Sequence, residues 1–185
     1  MPELTTFLST KSLIKLVTVL TGILKDKSNE RYQELVKIND VFGNVKELAR
    51  FYVPPNCQQM NPADENEEST ILSIRAPIFD YINTFLNRTI VTKDGANQLF
   101  ILADAGMGKS SLLMLFKLMH IASFFPKQYN CVLLKLDKNT VSEIDAIKDK
   151  TNTILLLDSL DEDPLAMGKK VESRLNKVLE QTKNF

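Results

Sequence analysis

Two short stretches of this chain carry residue types whose spacing suits chemistry. The first is Ala103-Asp104-Ala105-Gly106-Met107-Gly108-Lys109-Ser110, followed by Ser111. Gly106 and Gly108 lack a Cβ, so an anion can approach their backbone N–H groups closely. A helix beginning at this point would add the positive end of its dipole. Lys109 contributes a mobile positive charge and Ser110 a hydroxyl suited to a hard cation. The spacing is that of the phosphate-cradling pattern G-x-x-x-x-G-K-[ST], with Ala103 in the place of the first glycine. That position serves the turn more than the phosphate, so the departure is expected to be tolerated. Ala103, Asp104, Ala105, Gly106, Met107, Gly108, Lys109, Ser110 and Ser111 are thus expected to hold a nucleoside triphosphate.

The second stretch closes the apolar run Ile154-Leu155-Leu156-Leu157 with Asp158-Ser159-Leu160-Asp161-Glu162. A carboxylate at the C-terminal end of a strand lies where open α/β sheets place their ligands. Mg²⁺ takes one or two carboxylates and completes its shell with water and phosphates. Asp158, together with Ser110, is therefore expected at the metal, most simply through water. The bland alternative, that Asp158 caps the next helix, is weakened because Asp163 before Pro164 fills that role. Asp161 or Glu162 is left to orient an attacking water, with Glu162 preferred. No Asn-Lys-x-Asp occurs in the chain, which favours ATP over GTP.

These residues need a strand, a turn and a helix in that order, and the flanking pattern supplies them. Gln98 to Ala103 reads as a buried strand. Ser110 to Ser123 reads as a helix apolar almost all round, through Leu112, Leu113, Met114, Leu115, Phe116, Leu118, Met119 and Ile121. His120 on that helix is read as a packing residue. Pro126 ends the following turn, and Cys131 to Leu136 forms the next strand. Thr140-Val141-Ser142-Glu143 has the form of a capping box, with a short helix to about Lys150. Thr153 to Leu157 is a third strand. Asp163-Pro164 is expected to start a last helix that buries Val171, Leu175, Val178 and Leu179. Alternating apolar strands and helices predict a parallel sheet covered on both faces.

Upstream, residues 12–24 predict an amphipathic helix with Leu13, Leu16, Val17, Leu20, Ile23 and Leu24 on one face. A single second helix is predicted from about Glu30 to Tyr52, with Leu35, Ile38, Phe42, Val45, Ala49 and Tyr52 in its stripe. Pro54-Pro55 stops it. The acidic, proline-punctuated segment 61–69 reads as linker, and a helix is expected to restart at Pro77, turning Ile78, Ile82, Phe85 and Leu86 inward. The resulting organisation is an α-helical region over 1–53, a linker over 54–70 and an α/β nucleotide-binding domain over 71–185.

The 23 basic side chains equal the 23 acidic ones, which argues against broad attraction to nucleic acid or to an anionic membrane. The longest early apolar stretch, Leu13 to Leu24, is shorter than the roughly 20 residues a spanning helix needs. It also begins too late, and without a small-residue cleavage site, for a secretory leader. Cys57 and Cys131 have no metal-type spacing and read as free thiols. A cytoplasmic protein is expected.

The run 103–110 and the sequence Leu155-Leu156-Leu157-Asp158-Ser159-Leu160-Asp161-Glu162 together resemble the NACHT family of STAND-class P-loop NTPases. The family's second motif is an apolar run, Asp, a small residue, any residue and then Asp-Glu, and Ser159 fills the small position. The likeness covers roughly residues 70–185 and is nearest to bacterial members, many linked to defence. It implies a P-loop parallel sheet, ATP-Mg²⁺ as cofactor, signal transduction by a nucleotide-controlled switch, and self-association or protein partners. Tyr52-Val53-Pro54 looks like the aromatic-proline stretch that approaches adenine in such proteins. In the family, a strand bearing a sensor arginine follows the last helix predicted here, so the resemblance implies a sheet incomplete at its C-terminal end. Two readings result: an ATP-binding switch module with slow hydrolysis, or a non-catalytic truncated piece acting only as a helical interaction module.

Overall fold

The computed structural model describes residues 10–58, 75–87, 98–122 and 129–185. The segment 61–69 and Pro126 lie outside them. The chain is a mixed α/β protein. Its first helix, α1 (Thr10–Lys25), buries Leu16, Leu20 and Ile23, whose spacing of four and three keeps them on one face. On its other side Thr18 and Thr21 turn their hydroxyls back onto the carbonyls of Ile14 and Val17.

The single helix expected over 30–52 is two: α2 (Tyr32–Phe42) and α3 (Val45–Phe51). Gly43 takes φ of 88°, open to glycine, and its N–H returns to the Asn39 carbonyl at 2.9 Å. Asn44 then caps α3 by accepting from the Glu47 N–H at 3.3 Å. The apolar stripe survives the break, since Leu35, Ile38, Val45 and Ala49 are all buried. Two residues, β1 (Asn56–Cys57), pair antiparallel with β2 (Ala76–Pro77). Pro77 thus ends a short bridge, and α4 (Ile78–Asn87) begins one residue later, burying Ile78, Phe79 and Ile82 while Phe85 and Leu86 are half-buried.

Helix α5 (Lys109–Ile121) is the centre of the core. Leu112, Leu115, Leu118, Met119 and Ile121 are almost fully enclosed. The core is one cluster running from Leu16 in α1 through α2, α3 and α4 to α5 and Cys131, so the N-terminal helices share their interior with α5. The buried Lys117 ammonium pairs with Glu34 of α2 and donates to the Cys131 carbonyl. Arg31 donates to the Ile121 carbonyl at the other end of the same contact.

Strand β3 (Asn130–Lys135) lies parallel to β4 (Thr153–Asp158), six residues in register from Asn130 opposite Thr153 to Lys135 opposite Asp158. The intervening α6 (Thr140–Asp145) is shorter than expected. Its capping box does not form: Thr140 is already helical, and its hydroxyl accepts from the Asp137 N–H at 2.7 Å.

The expected strand over Gln98 to Ala103 is absent. These residues have no ladder partner among the described residues, and Leu99, Phe100 and Leu102 are exposed. Ile101 alone turns onto the core, and Gln98 donates to the Thr182 hydroxyl at 2.9 Å. An apolar run becomes a strand only when a neighbour takes its backbone N–H and C=O groups. The described sheet is therefore a two-stranded parallel pair, half-buried along β4, in place of a sheet covered on both faces.

After β4 come three 3₁₀ turns, Leu160–Glu162, Pro164–Ala166 and Gly168–Lys170, and then α7 (Val171–Thr182). Asp163 caps the second of these turns, accepting from the Leu165 N–H at 2.8 Å, and not the helix itself. The buried face of α7 is Arg174, Val178 and Thr182, with Leu175 and Leu179 half-buried and Val171 exposed.

Candidate anion and metal site

The turn at 103–108 leads directly into α5. Gly106 and Gly108 have φ of 80° and 82°, in the left-handed region. A Cβ at either would meet no atom within 4 Å, so the backbone angle alone calls for glycine. Gly108 occupies the N-cap of α5 and its carbonyl accepts from Leu112 N at 2.9 Å. The turn is tied by Met107 N–H to the Asp104 carbonyl at 3.3 Å. Lys109 folds back over it, donating to the carbonyls of Ala103 at 2.7 Å and Asp104 at 3.1 Å. Residues 103–108 are exposed, and Lys109, Ser110 and Ser111 are half-buried.

Ser110 and Asp158, 48 residues apart, meet at the base of this turn. The Ser110 hydroxyl donates to Asp158 Oδ1 at 3.0 Å, and Asp158 is 5% exposed. A buried carboxylate receiving a hydroxyl is a pair of hard oxygen donors with lone pairs to spare. Among the described residues no three or more His, Cys, Asp or Glu side chains converge. A cation at this pair would thus draw further oxygen ligands from its own waters and from a bound anion, which is how Mg²⁺ is ordinarily held.

Beyond Asp158 the chain turns sharply. Ser159 has φ of 65°, the one non-glycine residue in the left-handed region among those described. Its carbonyl accepts from the Glu162 N–H at 3.1 Å, closing the 3₁₀ turn and swinging Glu162 back across the end of β3. There Glu162 Oε2 pairs with Lys135 Nζ at 2.9 Å, both side chains more than half exposed. The hydrogen bond to Glu162, and then that group's charge, raise the Lys135 ammonium above its ordinary range, and Asp158 adds to the effect. Asp161 shares the turn; its side chain lies outside the described residues.

The turn, Ser110 and Asp158 therefore converge, whereas Glu162 is engaged by Lys135. Sequence reasoning gave Lys135 no role. The available signal was a lysine ending an apolar strand, where ligand-facing residues of parallel sheets lie.

His120 Nε2 is 2.8 Å from the Tyr129 carbonyl, and burial lowers its pKa, as suits a packing residue holding a neutral ring. Tyr52 stacks edge-on against Phe79 at 6.4 Å between ring centroids. Its hydroxyl is buried with no hydrogen-bond partner among the described residues, and burial pushes it up to about 12. Cys57 and Cys131 are free thiols. No described helix is long and apolar enough to cross a membrane.

No protein-family model, no curated protein and no solved structure matches the chain.

Proposed function

We propose that this chain is the ATP-binding part of a signal-transducing P-loop NTPase switch of the NACHT type, acting in the cytoplasm with protein partners or further copies of itself. One observation carries the reading: the Ser110 hydroxyl on the buried Asp158 carboxylate, directly beneath a turn with two left-handed glycines that opens α5. In this reading the turn and the helix N-terminus receive the phosphates. Lys109 exchanges its two loop carbonyls for phosphate oxygens, a favourable trade because an ionised acceptor makes the stronger hydrogen bond. Ser110 and Asp158 fit Mg²⁺, which when bound would offset phosphate charge. Glu162, in the turn after β4, orients the attacking water.

A fluorescent-ATP titration with Mg²⁺ tests this. Lys109→Ala should lose at least about tenfold in affinity, the effect of removing one strong charge-assisted contact. Equal affinity of the two proteins would sink the proposal. Glu162→Gln should retain binding and suppress phosphate release.

The ion pair that engages Glu162 favours a second reading, a nucleotide-responsive interaction module without turnover. Phosphate release by the unaltered chain, lost in Glu162→Gln, would exclude it.

A further inference from the structure

Lys135 has no counterpart in the reading above, yet it lies at the centre of the acidic end of the sheet. In the parallel ladder it stands opposite Asp158, and the left-handed Ser159 brings Glu162 round to its ammonium at 2.9 Å. One cation thus stands beside both acids to which the proposed metal and water chemistry is assigned. Lys109, the other lysine of the region, is turned to the carbonyls of Ala103 and Asp104.

We propose that Lys135 is a resident counter-cation for the Asp158–Glu162 acid pair, competing with a divalent metal for that charge and releasing Glu162 when the metal is bound. An ammonium beside a carboxylate offsets its charge. A divalent ion at Ser110 and Asp158 offsets it more strongly and repels the ammonium. The Lys135–Glu162 pair is exposed, so water and salt screen it and it contributes little net stability. A contact that weak is displaced by a divalent charge without disturbing the strands beneath. Lys135 is accordingly a positioning residue: it sets where Glu162 rests and how tightly the metal is held.

This rests on the nucleotide-site reading, and the test separates the two. Mn²⁺ binding to the 185-residue chain with saturating ATP is followed by electron paramagnetic resonance, which needs no turnover. Lys135→Met keeps the length of the side chain and removes its charge; it should tighten Mn²⁺ about fivefold at low salt. The gain should shrink at 1 M salt, where the Debye length falls to about 3 Å. Lys135→Arg keeps the charge and should match the unaltered protein. Circular dichroism checks that both variants fold. Affinity of Lys135→Met within twofold of the unaltered chain, or an equal gain in Lys135→Arg, overturns the counter-cation role while leaving the nucleotide site standing. If no form of the chain binds Mn²⁺ with ATP, the nucleotide-site reading falls and takes this one with it.

Discussion

Arg174 and Asp163 show what a buried charge does here that a surface one does not. Their side chains are 4% and 0% exposed, and Arg174 Nε donates to Asp163 Oδ2 at 2.6 Å. A second guanidinium nitrogen donates to the Asp137 carbonyl beyond β3 at 2.6 Å. Asp163 also caps the turn at Pro164, so a single carboxylate serves two partners. Removing one member of such a pair leaves the other buried and unmatched, at a cost of about 3–5 kcal/mol. Arg174→Ala should lower the urea midpoint accordingly, whereas Lys135→Met should leave it almost unchanged because its partner stays in water. Equilibrium unfolding of the two variants side by side decides this. The sequence assigned Asp163 to capping and missed Arg174, because two residues eleven apart do not advertise an ion pair that only the intervening turns create.

Among the elements, the turn after β4 sets the acids in place through one backbone angle. Ser159 at φ 65° and ψ 49° carries a left-handed conformation that disfavours a Cβ by about 1–2 kcal/mol. Ser159→Gly should therefore raise stability by about 0.5–1 kcal/mol, and Ser159→Val should lower it by more than that. Thermal melts of the two variants check the signs; a stabilised valine variant would contradict the geometry. A small residue at this place entered only with the family resemblance, whereas the left-handed angle is a finding of the structure. Gly43 and Asn44 divide the segment into α2 and α3, yet the apolar stripe running through them read as one helix. A stripe reports which face is buried; it does not report whether the axis bends.

On the scale of the whole molecule, the core joins the N-terminal helices to α5 and to the first strand of the pair, and Cys131 sits in it. Burial pushes its thiol up to about 12 from an ordinary 9.0. The unfolded chain therefore gives up this proton first, so the stability held below pH 9 falls as pH rises towards 12. About 1 kcal/mol should be gone by pH 10, and Cys131→Ala should show a flatter decline in urea midpoint between pH 8.5 and 10. A parallel decline in both proteins would contradict the assignment. The sequence by itself placed helices at 12–24 and 110–123, which the structure has at 10–25 and 109–121, together with the two strands that pair and the glycines, lysine, serine and acids of the candidate site. These depend on periodicity, turn residues and apolar runs, which act over a few neighbouring positions. Only the tertiary structure decided that Ser110 reaches Asp158, that Glu162 rests on Lys135, that Arg174 is buried, and that residues 98–103 form no strand. Each of those depends on which groups packing brings within hydrogen-bonding distance across tens of residues, and local pattern carries no record of that distance.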